Sequence, residues 1–331
     1  MSEFSLIYTH FKNATCSHPN TVLGIGDDGA LSRVPDDCEL VSCLDTLVAG
    51  RHFVQKTCPH AVAFKSVAVN LSDLAAMGAT PYAVLVGLSL PKQMANDEFC
   101  RQFANGLADI CTPFGVELIG GDTTSSPVLT VSVTALGFVP TGQAITRDGA
   151  KVSDVICVSG EIGSASVALH QILDTPNKNN HDKDGHATPN SLDNLSNELM
   201  TALQYPMPRL HLGQALRGFA SAMIDISDGL GQDLGHILTA SKVGAILHLE
   251  KIPANPLLQK LPNAQKWQHQ LNGGDDYELC FTISPDKLAL FEQHYPDFTV
   301  YPIGEIVADK GLILTYQGQT LDFNIKGWEH F

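Results

Sequence analysis

Between residues 61 and 77 apolar side chains return at helical spacing, with Phe64, Val67, Leu71 and Leu74 on one face, Gly78 placed to cap the C-terminus and Pro81 just beyond it. The spacing predicts a helix there and a second over 99–111. Runs rich in β-branched residues predict strands instead: Val22 and Leu23 ahead of Gly24, 39–44 ahead of Asp45, 116–119 ahead of Gly120, 129–139, and 152–159 ahead of Gly160. Nearly all of these runs stop at a glycine or an aspartate, so they are expected to deliver polar loops to one rim. The second half repeats the mixture, with helices over 165–173, 210–219 and after Gly229, a strand ending at Ile224, and strands over 244–249, 277–283 and 312–316. The expected fold class is therefore α/β in two domains, residues 1–147 and residues 148–331, the second opening near Asp148, Gly149 and Ala150.

One stretch breaks the pattern. Residues 175–192 (TPNKNNHDKDGHATPNSL) carry almost no apolar side chain and read as a polar surface insertion within the second domain. Asn180, Asp182, Asp184 and Gly185 imitate the opening of an EF-hand loop, but Ser191 stands where that loop needs a bidentate glutamate, so no calcium site is expected.

Composition narrows the function classes. The 331 residues are 44% hydrophobic and 17% charged, which suits a compact folded chain and excludes bulk disorder. With 35 acidic and 20 basic residues the net charge is −15, which argues against binding to nucleic acid or to an anionic membrane surface. The longest apolar run, 82–90, is about half a membrane span, and the N-terminus lacks a signal pattern, so a cytoplasmic protein is expected. The eight cysteines are scattered without a Cys-x-x-Cys and read as reduced thiols.

The chemistry lies in the aspartates. GIGDDG (24–29) fits the dinucleotide pattern G-x-G-x-x-G, yet Pro35 leaves no room for the long helix that holds a pyrophosphate, and Asp27 and Asp28 suit a hard cation better. Further acids follow apolar runs at Asp45, Asp73, Asp122 (in GGDTT), Asp225 and Asp228 (in IDISDG), and Asp275 and Asp276 (after Gly273 and Gly274). A solvated acidic face would intermix Lys and Arg, and these neighbourhoods hold almost none. Converging carboxylates repel one another, so divalent cations are expected to neutralise them. An all-carboxylate donor set favours Mg²⁺, which leaves coordination positions for phosphate oxygens. No Gly-Lys dipeptide exists, so there is no Walker A loop, and the protein-kinase motifs are absent too. Any ATP must be held through metal and glycine-rich backbone.

GIGDDGAL (24–31), DTLVAGRHF (45–53), AVNLSDLAAMGATP (68–81), LIGGDTT (118–124), AMIDISDGLGQDLGH (222–236), GGDDYELCFT (273–282) and KGWEHF (326–331) together resemble, in order and over nearly the whole chain, the thiamine-monophosphate kinase family of the PurM-like ATP-binding superfamily. The resemblance implies a two-domain PurM-like architecture: an N-terminal mixed α/β sheet domain for ATP, Mg²⁺ and dimerisation, and a C-terminal α/β domain. It implies direct transfer of the γ-phosphoryl of ATP to thiamine phosphate, the last step of thiamine diphosphate biosynthesis, with several Mg²⁺ ions and no covalent nucleophile. Carried over residue by residue, it assigns metal ligation to Asp28, Asp45, Asp73, Asp122, Asp225 and Asp228, joined by Asp27. ATP contacts fall on Gly121, Asp122, Arg147 and Ser227, and thiamine phosphate contacts on His52, Asp275 and Trp328. A homodimer is implied, with no nucleic-acid or membrane partner. The chemistry is consistent, because phosphoryl transfer needs alignment and charge neutralisation, and an acceptor phosphate is already ionised. One departure stands out: the family commonly reads Ser-Thr-Asp-Thr where this chain has Cys43, Leu44, Asp45 and Thr46.

Plainer roles stay open for some residues. His52 can be a core histidine, Arg147 can pair with Asp148, and Trp328 can pin a tail. For the whole chain the alternatives are another PurM-like synthetase, acting on aminoimidazole ribotide or making selenophosphate, and a non-catalytic nucleotide or thiamine sensor. Cys16, followed by Ser17 and His18, does not fit the reactive Cys-Lys pair of a selenophosphate synthetase.

Overall fold

The computed structural model describes residues 7–174, 176–181, 187–189 and 197–327. Trp328 and much of the 175–192 stretch lie outside them. The chain forms two compact units: residues up to Ala144 together with Leu210–Arg217, and Ile145–Arg209 together with residues from Gly218 onward. The first unit is thus discontinuous in sequence.

The first unit contains strands β1 (Thr21–Leu23), β2 (Leu31–Ser32), β3 (Cys38–Val48), β4 (Thr80–Leu90), β5 (Glu117–Ser125) and β6 (Thr130–Pro140), and helices α1 (Pro59–Ala76) and α2 (Asp97–Cys111). Its main sheet has the order β3-β6-β4-β5, antiparallel except for the β4/β5 pair. Alternate residues of β6, among them Val131, Val133 and Ala135, are buried, as a strand with one face on a core requires. Helix α1 is buried along almost its whole length because it touches the sheet, α2 and the short helix Leu210–Ala215. It ends as its sequence predicts, with Gly78 left-handed (φ +67°) and donating to the Ala75 carbonyl at 2.9 Å. In α2 the Asn96 side chain caps the Phe99 N–H at 3.0 Å, and Phe99, Phe103, Leu107 and Ile110 form the buried stripe.

The second unit contains strands β7 (Val155–Val158), β8 (Ala220–Asp225), β9 (Gly244–His248), β10 (Leu279–Ile283), β11 (Tyr301–Val307), β12 (Gly311–Tyr316) and β13 (Gln319–Leu321). Its helices are α3 (Ser164–Asp174), α4 (Asn197–Gln204), α5 (Leu230–Ser241), α6 (Asn263–Asn272) and α7 (Pro285–His294). The sheet order is β8-β10-β7-β11-β9-β12-β13, with β9/β12 the one parallel pair. Ile156, Ile224, Leu234, Ile237, Leu247 and Ile303 lie in its core. Within the polar stretch, Pro176–His181 pairs antiparallel with Ala187–Pro189.

Four differences from the sequence expectation have physical causes. The run 82–90 is the body of β4, and near-continuous burial between β5 and β6 conceals its strand periodicity. Asp45 and Asp122 do not follow their strands but lie inside them: β3 continues through Val48 against β6, and β5 through Ser125 against β4. The helix expected over 210–219 stops at Ala215, and left-handed Gly218 (φ +76°) turns the chain. The strand expected from Tyr277 starts at Leu279, because Tyr277 is itself left-handed. Among the described residues no helix is long and apolar enough to cross a membrane.

Candidate functional site

In the first unit two acids reach one spot from two elements. Cys43 and Asp45, two apart on β3, share a face of the strand, and Asp73 lies on α1. The Cys43 thiol is within hydrogen-bonding reach of the Asp73 carboxylate and, at 3.3 Å, of the Asn70 carbonyl. Burial first, and then the charges of Asp73 and Asp45, push this thiol far above its ordinary range, so it stays protonated. Asn70 is fully buried one turn before Asp73. Its Oδ1 accepts the Asp45 backbone N–H at 3.1 Å, and its Nδ2 donates to the Ser66 carbonyl at 3.0 Å. One amide side chain therefore fixes β3 against α1 where the two acids meet.

Asp27 and Asp28 are exposed on the loop between β1 and β2, with the Asp28 N–H donating to Asp27 Oδ1 at 2.9 Å. The loop is anchored at its base by Tyr82, whose buried ring stacks on Phe138 with centroids 5.0 Å apart. The Tyr82 hydroxyl bonds Thr21 Oγ1, at 3.2 Å, and Ser32 Oγ, on the two flanking strands. Gly121 and Asp122 are exposed on β5, just past a register shift. A Cβ at Gly121 would stand 2.1 Å from the Val86 carbonyl oxygen, so only glycine lets β5 approach β4 there. His52 is half-buried, and its Nδ1 accepts the Val48 N–H at 3.1 Å, which leaves Nε2 to carry the proton of the neutral ring.

In the second unit Asp225 ends β8, and the turn after it carries Ser227 and Asp228. The N–H groups of Ser227, Asp228 and Gly229 all donate to Asp233 Oδ2, at 3.0, 3.0 and 3.1 Å. Burial, and next the charge of Asp225, raise the Asp233 carboxyl to about 8 against the pull of those donors. The Gly273–Tyr277 segment lies against the same turn: Asp275 N–H donates to the Ser227 carbonyl at 2.9 Å and Tyr277 N–H to the Ile226 carbonyl at 2.8 Å. A Cβ at Gly274 would stand 2.2 Å from the Ser227 carbonyl oxygen, so the approach again requires glycine. Asp276 accepts the Gly163 N–H at the start of α3, and burial holds its carboxyl well above the usual carboxylate range. Glu278 is held by Ser159 and by both sides of the Arg209 guanidinium, with Arg209 Nε 2.7 Å from Oε2. Arg147 is exposed, and Asp148 accepts a 2.6 Å bond from Thr146 Oγ1 instead of pairing with it.

The structure thus brings Asp45 and Asp73 together, and separately gathers Asp225, Ser227, Asp228 and Asp275. Asn70, Tyr82, Asp233 and Tyr277 act on these residues and are not found by sequence reasoning. Among the described residues no three His, Cys, Asp or Glu side chains form a ready-made metal cage. Carboxylates arriving singly or in pairs suit Mg²⁺, which takes one or two from the protein and completes its octahedron with water and phosphate oxygens.

Comparison with known proteins shows two family models matching this chain: AIR synthase related protein, N-terminal domain, over residues 26–139, and AIR synthase related protein, C-terminal domain, over residues 151–317. The chain is 40% identical to thiamine-monophosphate kinase of Escherichia coli K12, with 99% of this chain and 98% of that protein aligned. It is similar to the crystal structure of thiamine-monophosphate kinase from Stenotrophomonas maltophilia K279a, at 37% identity and TM-score 0.82, covering 97% of this chain and 98% of the other. It is also similar to AaThiL complexed with AMPPCP and TMP, at 28% identity and TM-score 0.74, covering 93% and 92%.

Asn70→Ala leaves the Asp45 N–H without its partner and is expected to lower unfolding stability by about 2 kcal/mol. Ser66→Ala, which removes only a bond from the hydroxyl to the Val62 carbonyl one turn back, is expected to cost under about 1 kcal/mol. Urea unfolding of both variants checks this, and equal losses would show that the Asn70 bond contributes nothing particular.

Proposed function

The chain belongs to the thiamine-monophosphate kinase family of the AIR synthase related proteins and is a phosphotransferase, and from that premise we propose that it passes the γ-phosphoryl of ATP directly to thiamine phosphate, with Mg²⁺, as the last step of thiamine diphosphate biosynthesis. The observation that carries this reading is the placing of two acids around the Cys43 thiol, with Asp73 in hydrogen-bonding reach of it and Asp45 two residues along the same face of β3. Carboxylates set around one point from two elements fit an ion that neutralises them. Asp28, Asp45, Asp73, Asp122, Asp225 and Asp228, with Asp27, are the residues that would hold Mg²⁺. When bound, the ions supply charge neutralisation at the phosphate oxygens.

The remaining work falls to the chain itself. Gly121 and Ser227 offer backbone and hydroxyl groups to the nucleotide, and Arg147 presents a guanidinium whose fork matches phosphate geometry. Thiamine phosphate carries a cationic thiazolium, which the Asp275 carboxylate attracts and the face of Trp328 can stack on. His52, with its proton on Nε2, donates to the acceptor phosphate. No side chain need act as a nucleophile, and the protonated Cys43 thiol is a poor one.

We place the reaction in the cytoplasm, a reading supported by eight cysteines that are all free. We also propose a homodimer through β3. That strand forms one edge of its sheet and exposes Leu40 (51%) and Leu44 (61%), an apolar edge that water alone would leave open to pairing. Sedimentation equilibrium should give about twice the 35.5 kDa chain mass, and a monomer would contradict this.

Incubation with ATP, Mg²⁺ and thiamine phosphate should yield thiamine diphosphate and ADP. Asp45→Asn should keep the unfolding midpoint while lowering turnover by roughly 100- to 10,000-fold, the scale of a lost transition-state electrostatic contact. Unchanged turnover of that variant at limiting Mg²⁺ would remove Asp45 from the site.

A further inference from the structure

Asp275 (φ +70°) and Tyr277 (φ +51°) both lie in the left-handed region. That conformation is unfavourable for any residue with a Cβ and most so for a bulky ring, and it persists only where the surroundings over-determine it. Here they do. The Asp275 and Tyr277 N–H groups donate to the Ser227 and Ile226 carbonyls, and the Ile226 N–H donates back to the Glu278 carbonyl at 2.8 Å. Gly274 brings the two segments to a distance no other residue allows. Glu278 is in turn held by Arg209 and Ser159.

The backbone geometry has a consequence for the side chains. In an extended chain, residues two apart stand about 6–7 Å apart along one face. In this folded-back segment the Tyr277 hydroxyl instead donates to Asp275 Oδ1 at 3.0 Å. We propose that Tyr277 is a positioning residue for the phosphate acceptor: its hydroxyl fixes the direction in which the Asp275 carboxylate faces, and its left-handed backbone ties that carboxylate to the Ile226–Ser227 turn. The proposal rests on the assignment of Asp275 to a cationic heteroaromatic phosphate ester made above. It adds a residue that touches no substrate and acts through one that does.

Tyr277→Phe removes the hydroxyl and keeps the ring. Its KM for thiamine phosphate should rise about 3- to 30-fold, a range typical of one bond to a charged acceptor. The KM for ATP should stay within about twofold, kcat should fall by less than about threefold, and the melting temperature should stay within about 2 °C. Because the hydroxyl acts through Asp275, the double variant Tyr277→Phe/Asp275→Asn should be no worse than Asp275→Asn alone. The proposal is overturned if Asp275→Asn raises the acceptor KM and Tyr277→Phe does not, or if the two effects multiply. It is equally overturned if Tyr277→Phe raises both KM values and lowers the melting temperature, which is a structural role. An Asp275→Asn variant with an unchanged acceptor KM would instead remove Asp275 from the acceptor site, and the underlying assignment would fall with it.

Discussion

Asp45 and Asp73 act on one thiol, and in the other unit the charges of Asp225 and Asp228 add to burial in pushing the Asp233 carboxyl up to about 8 at the start of α5. Arg209 in the second unit is committed to Glu278. The chain answers with neutral donors. Asp233 takes three backbone N–H groups, Asp276 takes one at the start of α3, and Asp27 takes that of its own neighbour. These dipoles oppose the rise that burial imposes on Asp233 and Asp276, and burial outweighs them. In the proposed reaction the exposed acids are the ones that would meet an external cation and, through it, phosphate oxygens.

The departure at Cys43 fits the same constraint. A thiol is a weaker donor than the hydroxyl the family commonly has there, yet it lies between the Asn70 carbonyl and the Asp73 carboxylate and can donate to either. Because burial and two carboxylates keep it protonated, it adds no further negative charge beside Asp45 and Asp73. The Asn70 amide adds a second link between β3 and α1 at that point.

Much of the frame was legible in the sequence where one signal dominated. Helix α1 shows its apolar stripe and its Gly78 cap, and β6 shows β-branched alternation. The run 82–90 was harder, because a strand buried on both sides loses the period-2 pattern that identifies it. The acids were legible from the scarcity of Lys and Arg around them, whereas their roles came from the family resemblance. Their supports were not legible. Asn70 looks like an ordinary polar residue on a helix, and Tyr277, a β-favouring residue, argues for a strand at the very position where the backbone turns left-handed. Both act through tertiary contacts that no local pattern records.

The central claim is that divalent cations bind at the carboxylates beside Asp233, and the pH dependence of stability tests it directly. The Asp233 carboxyl titrates near 8 in the folded chain against 3.8 as an ordinary aspartate. Between those values the unfolded state binds fewer protons than the folded one, so stability falls as pH rises from about 4 to 8, by at most about 1.4 kcal/mol per pH unit for one group. Melting curves across that range, with and without Mg²⁺ and a non-hydrolysable ATP analogue, give the comparison. The account predicts a clear decline without the metal–nucleotide pair and a flatter profile with it, because cations at Asp225 and Asp228 offset the like charges that add to burial in raising the Asp233 carboxyl. The same slope in both conditions, with only a uniform upward offset from ligand binding, would contradict it.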